Sequence, residues 1–133
     1  MKTTEARAIM DAARTYAETL GKEVAICVLD AAGLIMALER VGEPGAFTSA
    51  MAEGKALSAA YTGRKSAEVE AMQDRVPGGV QAMIVKHNGR LVPRQGAVPL
   101  MRGGDVMGAV GASGADPQED EDIAAAGAAV YNT

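Results

Sequence analysis

The sequence predicts an α+β domain in which helices pack against an antiparallel sheet of about five strands. Three observations carry this. Apolar segments of strand length are joined by turn-forming residues at Asp30–Gly33, His87–Arg90 and Arg102–Asp105. The order runs helix, two strands, helices, three or four strands, helix, without the strand–helix–strand alternation that builds a parallel sheet. A strand near the end carries Gly108, Gly111 and Gly114, a spacing that removes side chains and lets another backbone, a helix or a ligand come close.

Each element has its own signal. Thr3 or Thr4 starts a first helix, Glu5 suits its first turn, and Ala6, Ile9, Met10, Ala13, Tyr16, Ala17 and Leu20 recur at helical spacing until Gly21. Val24 to Leu29 is a continuous apolar strand, Asp30–Gly33 turns, and Leu34 to Leu38 returns, ending on Glu39 and Arg40. After the loop Gly42–Ala46, Phe47 to Tyr61 reads as a helix whose alanines allow it to lie close to the sheet, and Arg64 to Asp74 reads as a shorter polar helix. Val80 to Lys86 reads as a strand, with His87-Asn88-Gly89-Arg90 as a type I′ hairpin turn into Leu91-Val92. Ala97 to Met101 and Asp105 to Val110 form the last hairpin. Pro117, followed by Glu119, Asp120 and Glu121, opens a helix that runs to Tyr131.

Composition narrows the class. The 133 residues suit a single domain over 1–133. With 48% hydrophobic residues but one Phe, three Tyr and no Trp, the core has to be built from Ala, Val, Leu, Ile and Met. Little aromatic bulk and so much apolar helix surface point to homo-oligomers. Net charge is −4 and no basic stripe appears, so no nucleic-acid partner is expected. No apolar stretch reaches the roughly 18 residues of a membrane span, and no signal peptide is visible, so a cytoplasmic protein without a membrane partner is expected. The one cysteine, Cys27, sits in an apolar run, which fits a buried thiol in a reducing compartment.

Several segments together resemble a known family. They are Val28-Leu29-Asp30-Ala31-Ala32-Gly33-Leu34, Lys55-Ala56, Gly96-Ala97-Val98-Pro99-Leu100, the run Asp105 to Gly114, Asp120-Glu121, and Ala124-Ala125-Ala126-Gly127. In this order they are similar to the GlcG/HbpS family, also found as the C-terminal domain of PduO-type proteins, over roughly residues 3 to 131. The resemblance implies a profilin-like three-layer fold, homo-oligomers, and binding of haem or a related tetrapyrrole. Haem binding in the family is associated with a histidine on the first helix, and that helix has none here. The family's Gly-Gly before Val-Pro is Gln95-Gly96, and the loop after Arg40 is also different.

The chemistry-bearing residues are few. His87 is the only histidine, so no Ser-His-Asp or Cys-His set is available, and no Cys/His cluster has metal-ligand spacing. His87 is either an exposed turn residue or a ligand reaching a neighbour's pocket. Tyr16, Tyr61, Met10 and Met51 are residue types that ligate haem iron, and each also suits a core. Arg40 ends a strand beside the irregular loop. Lys55 lies on an alanine-rich helix side, costly unless it snorkels or meets a partner such as Asp30, Glu39, Glu53 or Asp120. Two functions follow. One is a small-molecule-binding protein for haem or a relative, with Arg40 and Lys55 as an anion clamp near Gly108 and Gly111. The other is a small catabolic enzyme using Lys55, Glu53 or Asp120 for acid–base chemistry on a carboxylated metabolite.

Overall fold

The computed structural model describes residues 1–133 as five helices and four strands. Along the chain these are α1 (Thr3–Thr19), β1 (Val24–Asp30), β2 (Ile35–Val41), α2 (Thr48–Thr62), α3 (Ser66–Arg75), α4 (Pro77–Lys86), β3 (Ala97–Arg102), β4 (Asp105–Ser113) and α5 (Pro117–Ala129). The sheet is antiparallel throughout, in the order β2-β1-β4-β3.

The two faces of β1 explain its unbroken apolar run. Val24, Ile26 and Val28 join Ile9, Met10, Ala13, Ile123 and Ala124 in the core under α1 and α5. Ala25, Cys27 and Leu29 join Ala52, Ala56, Leu57 and Ala59 under α2. A central strand covered by helices on both sides has no solvent face and so no alternation. Burial pushes the Cys27 thiol up to about 12, so it stays protonated and packs as a small apolar group.

The glycine-bearing strand is approached by a helix. A Cβ on Gly111 would stand 2.6 Å from the Ala52 carbonyl oxygen and 3.0 Å from the Ala56 amide nitrogen. The bare backbone of β4 thus lets α2 sit directly on it. On the opposite layer α1 and α5 lie side by side.

One part of the architecture differs from the sequence reading. Residues 77–86 form α4 rather than a strand, and Leu91-Val92 pairs in no sheet, so the sheet has four strands rather than about five. Val80, Met83 and Ile84 are the positions of α4 turned inward, a helical spacing hidden inside a short continuous apolar run. Pro77 occupies the first turn, where a missing N–H costs nothing. Asn88 and Gly89 do take positive φ, 57° and 77°, but they end a helix instead of turning a hairpin. The Gly89 amide donates to the Ile84 carbonyl at 2.9 Å, which closes the last turn of α4.

The close approach at Gly111 has a measurable cost attached. Gly111→Ala is expected to destabilise the protein by about 1–3 kcal/mol in chemical denaturation, because the helix backbone has to move. Gly78→Ala, in open space in the first turn of α4, is expected to be neutral or to stabilise by up to about 1 kcal/mol.

Candidate functional site

The middle of α2 carries a charge into the interior. Lys55 is buried, with 7% of its side chain exposed, and its partner Asp120 in the first turn of α5 retains 3%. Lys55 Nζ donates to Asp120 Oδ2 at 3.1 Å and to the Ala112 carbonyl at 3.1 Å. Asp120 Oδ1 accepts the Ala115 amide at 3.0 Å. The local sequence makes this possible. Pro117 and the N-cap Asp116 start α5 just after β4 ends, which brings Asp120 back over the strand end. Gly96, at φ 143°, covers the ammonium with bare backbone; a Cβ there would stand 2.9 Å from Lys55 Nζ. Burial pushes the Asp120 carboxyl above its ordinary value, while the Lys55 ammonium and the Ala115 amide pull the other way.

The pair opens on one side into a cleft of about 320 Å³. Glu70, Arg94, Gln95 and Ser113 supply the other polar walls, and the exposed Phe47 and half-buried Met51 lie beside them. Arg94 Nε lies 3.7 Å from Glu70 Oε1, which also accepts the Gln95 amide at 2.9 Å.

The residues singled out from sequence are divided by the fold. Lys55 and Asp120 meet. Arg40 does not converge with them: it is exposed on β2, where Nη2 donates to the Pro44 carbonyl at 2.5 Å and so ties the loop after its own strand. Glu53 is drawn to Arg90, with Nη2 and Oε2 2.5 Å apart. Gly111 lies under α2, and Gly108 meets the Leu29 carbonyl of β1; neither lines the cleft. Arg94, Glu70, Gln95 and Ser113 are not among the site residues the sequence points to. Ser113 had a signal as the last residue of the glycine-lined strand, and Gln95 as the departure from the family's Gly-Gly. Arg94 and Glu70 come from a connection and a polar helix with no motif.

The iron-ligand types are likewise dispersed. Met10 is in the core, and Met51 lines the cleft. Tyr61 packs edge-on against His87, ring centroids 4.4 Å apart, and His87 Nδ1 donates to the Met83 carbonyl at 2.9 Å. Tyr16 lines a groove of about 640 Å³ between α1 and α5, with Ala8, Asp11, Ala12, Thr15, Thr19 and Ala126. No three His, Cys, Asp or Glu side chains are grouped to hold a metal ion, and no helix is long and apolar enough to cross a membrane.

These features define a class: a three-layer α+β domain with a polar cleft, a shallow groove floored by alanines and no nucleophile–histidine pair. The chain belongs to the HbpS-like family, whose model, described as haem degrading protein HbpS-like, matches residues 1–129. A double mutant of Streptomyces reticuli HbpS is similar at 25% identity and TM-score 0.87, over 100% of this chain and 88% of that one. The PduOC:heme complex is similar at 25% identity and TM-score 0.85, over 99% of this chain and 95% of that one. Klebsiella pneumoniae ORFY, of the DUF336 family model, shares the fold at 21% identity and TM-score 0.85, over 97% of this chain and 88% of that one. No curated protein matches the sequence.

The buried pair gives a direct stability test. Lys55→Met strands the Asp120 carboxyl, and breaking such a pair costs about 3–5 kcal/mol. The lower end is expected, because a carboxyl already pushed upward by burial can take a proton instead. Lys55→Met/Asp120→Leu, with no charge left to answer, is expected to recover most of that loss in denaturant titrations.

Proposed function

We propose that this protein binds haem or a related tetrapyrrole. The observation that carries the reading is the family membership, together with the likeness to PduOC, a relative solved as a heme complex. The α1–α5 groove is the part of this chain whose chemistry suits the group. Ala8, Ala12 and Ala126 offer a small-residue apolar floor against which a flat macrocycle packs, and Tyr16 supplies a phenol oxygen. A tyrosine oxygen is an established type of haem-iron ligand, which answers the missing histidine of α1. Once bound, haem would supply redox-active iron. The protein's part is to exclude water from one face and to hold the iron through Tyr16. The Lys55–Asp120 cleft is smaller and more polar, and it does not suit the ring.

Titration of the purified protein with haemin is expected to give a saturable Soret shift. Tyr16→Phe, which removes only the oxygen, is expected to change the spectrum of the complex and weaken binding about tenfold or more, with denaturation unchanged. No saturable shift in the wild type would overturn the reading. An unaltered spectrum in Tyr16→Phe would remove Tyr16 from it.

Assembly of several copies belongs to the same proposal. β2 is an edge strand that α2 barely covers, and Ile35 and Leu38 are exposed along it, with Leu34 exposed just before it. Light scattering at micromolar concentration is expected to give a multiple of 13.6 kDa, and Leu38→Lys is expected to lower it.

A further inference from the structure

We propose that the Lys55–Asp120 cleft is a second ligand site, one that takes a small carboxylate and is separate from the α1–α5 groove. The inference starts from hydrogen-bonding capacity. Net charge decides nothing here, since Lys55 and Arg94 face Asp120 and Glu70. What matters is which donors are still free. Each Asp120 oxygen already accepts one hydrogen bond, from Lys55 and from the Ala115 amide, and Glu70 Oε1 accepts the Gln95 amide, while Glu70 Oε2 has no partner. The donors are less committed. A lysine ammonium has three N–H groups, and two of them account for the bonds to Ala112 and Asp120. Arg94 meets Glu70 only through Nε at 3.7 Å, which leaves the outer edge of its fork open.

Ser113 adds an independent observation. It stands opposite Ala25 in the β1–β4 pairing, and Ala25 belongs to the core under α2, so the Ser113 side chain faces the α2 side as well. The residue is 4% exposed, lines the cleft, and its hydroxyl enters no hydrogen bond within the chain. An unpartnered hydroxyl open to the cleft, a spare ammonium hydrogen and an open guanidinium edge converge where an acceptor from outside the chain can enter. A carboxylate provides two oxygens and matches the planar fork of Arg94. The volume, about 320 Å³, is at the low end for small-molecule sites and selects a ligand of a few heavy atoms. Phe47 and Met51 offer apolar contact to its short tail.

The test uses sodium propanoate as probe, with propanamide as its uncharged counterpart and sodium chloride as the ionic control. The ¹⁵N-labelled protein is titrated with each. Propanoate is expected to move the amide signals of Gly96, Ser113, Gly114 and Ala115 saturably, with propanamide and chloride at least about tenfold weaker. Arg94→Gln, on an exposed side chain, is expected to weaken propanoate about tenfold, the scale of a lost charge-assisted hydrogen bond. Ser113→Ala is expected to weaken it severalfold. Because Lys55→Met endangers the fold, Lys55→Met/Asp120→Leu replaces it and is expected to abolish binding. Shifts that do not saturate, that propanamide or chloride reproduce, or that survive both Arg94→Gln and Ser113→Ala would overturn the proposal. Haemin binding at Tyr16 is read separately in the Soret band, so either site can fail without the other.

Discussion

A lysine carried into the interior by a helix has to be answered, and much of the architecture around α2 is that answer. Lys55 lies one residue before Ala56, which touches the backbone of β4, so its side chain is carried under the helix and reaches solvent only at the mouth of the cleft. It is met by a carbonyl from the end of β4 and by a carboxylate from the first turn of α5. Lys55 and Asp120 belong to helices on opposite faces of the sheet. The ion pair therefore pins the α2 layer to the α1–α5 layer at the end of the sheet, where no strand separates them. Gly96 belongs to the same solution, because any side chain there would collide with the ammonium. The Asp116–Pro117 helix start sets where Asp120 arrives.

The second constraint is the shortage of bulk. With few aromatic rings, the layers cannot be filled by large side chains, and close backbone approach takes their place. Gly111 admits α2 to β4, and Gly127 brings α5 against α1, where a Cβ would stand 2.9 Å from the Ile9 carbonyl oxygen. Alanines on the facing helices complete each contact. Interiors packed to native density have little room for added methyl groups, so these positions resist enlargement more than a chain rich in Leu and Phe would. The same economy leaves β2 poorly covered, since α2 lies over β1 and β4 and reaches only the margin of β2.

How far this could be read from the sequence depends on how local each determinant is. The doubly covered β1, the Gly-Gly turn into β4 and the proline-and-acid start of α5 are written in adjacent residues. The resemblance to the family then fixed the frame. Residues 80–86 were misread because a short run of Val, Met and Ile satisfies both periods. Asn-Gly suits a helix end as well as a hairpin, and only the neighbouring Pro77 favoured the helix. For the site, Lys55 was visible as a charge in an apolar stripe, and Asp120 stood among its four possible partners. The choice among them depended on where α5 begins in space. Arg40 looked equivalent to Lys55 in sequence, yet a strand end beside a loop gave it a carbonyl to hold. Arg94 and Glu70 lie on elements without regular patterning, and nothing short of the folded chain brings them to the cleft.

The energetic setting bears on why the pair is there at all. A domain of this size has a stability on the order of 5–15 kcal/mol. Replacing a buried ion pair by apolar groups of similar volume is commonly neutral or favourable. Pinning two layers together therefore does not require Lys55 and Asp120; a leucine and a methionine would serve. Nor does the fold require the ammonium to border an open cleft, since an alanine-rich helix in this chain seals against the sheet elsewhere without difficulty. Burial acts against the charged form of Asp120, yet the lining around it adds further donors, Ser113 and Arg94, that stabilise neither partner of the pair. Arg94 has only a 3.7 Å pairing with Glu70, and the Ser113 hydroxyl has no partner in the chain, so little of their donor capacity serves the fold. They acquire a role once an acceptor from outside the chain enters the cleft.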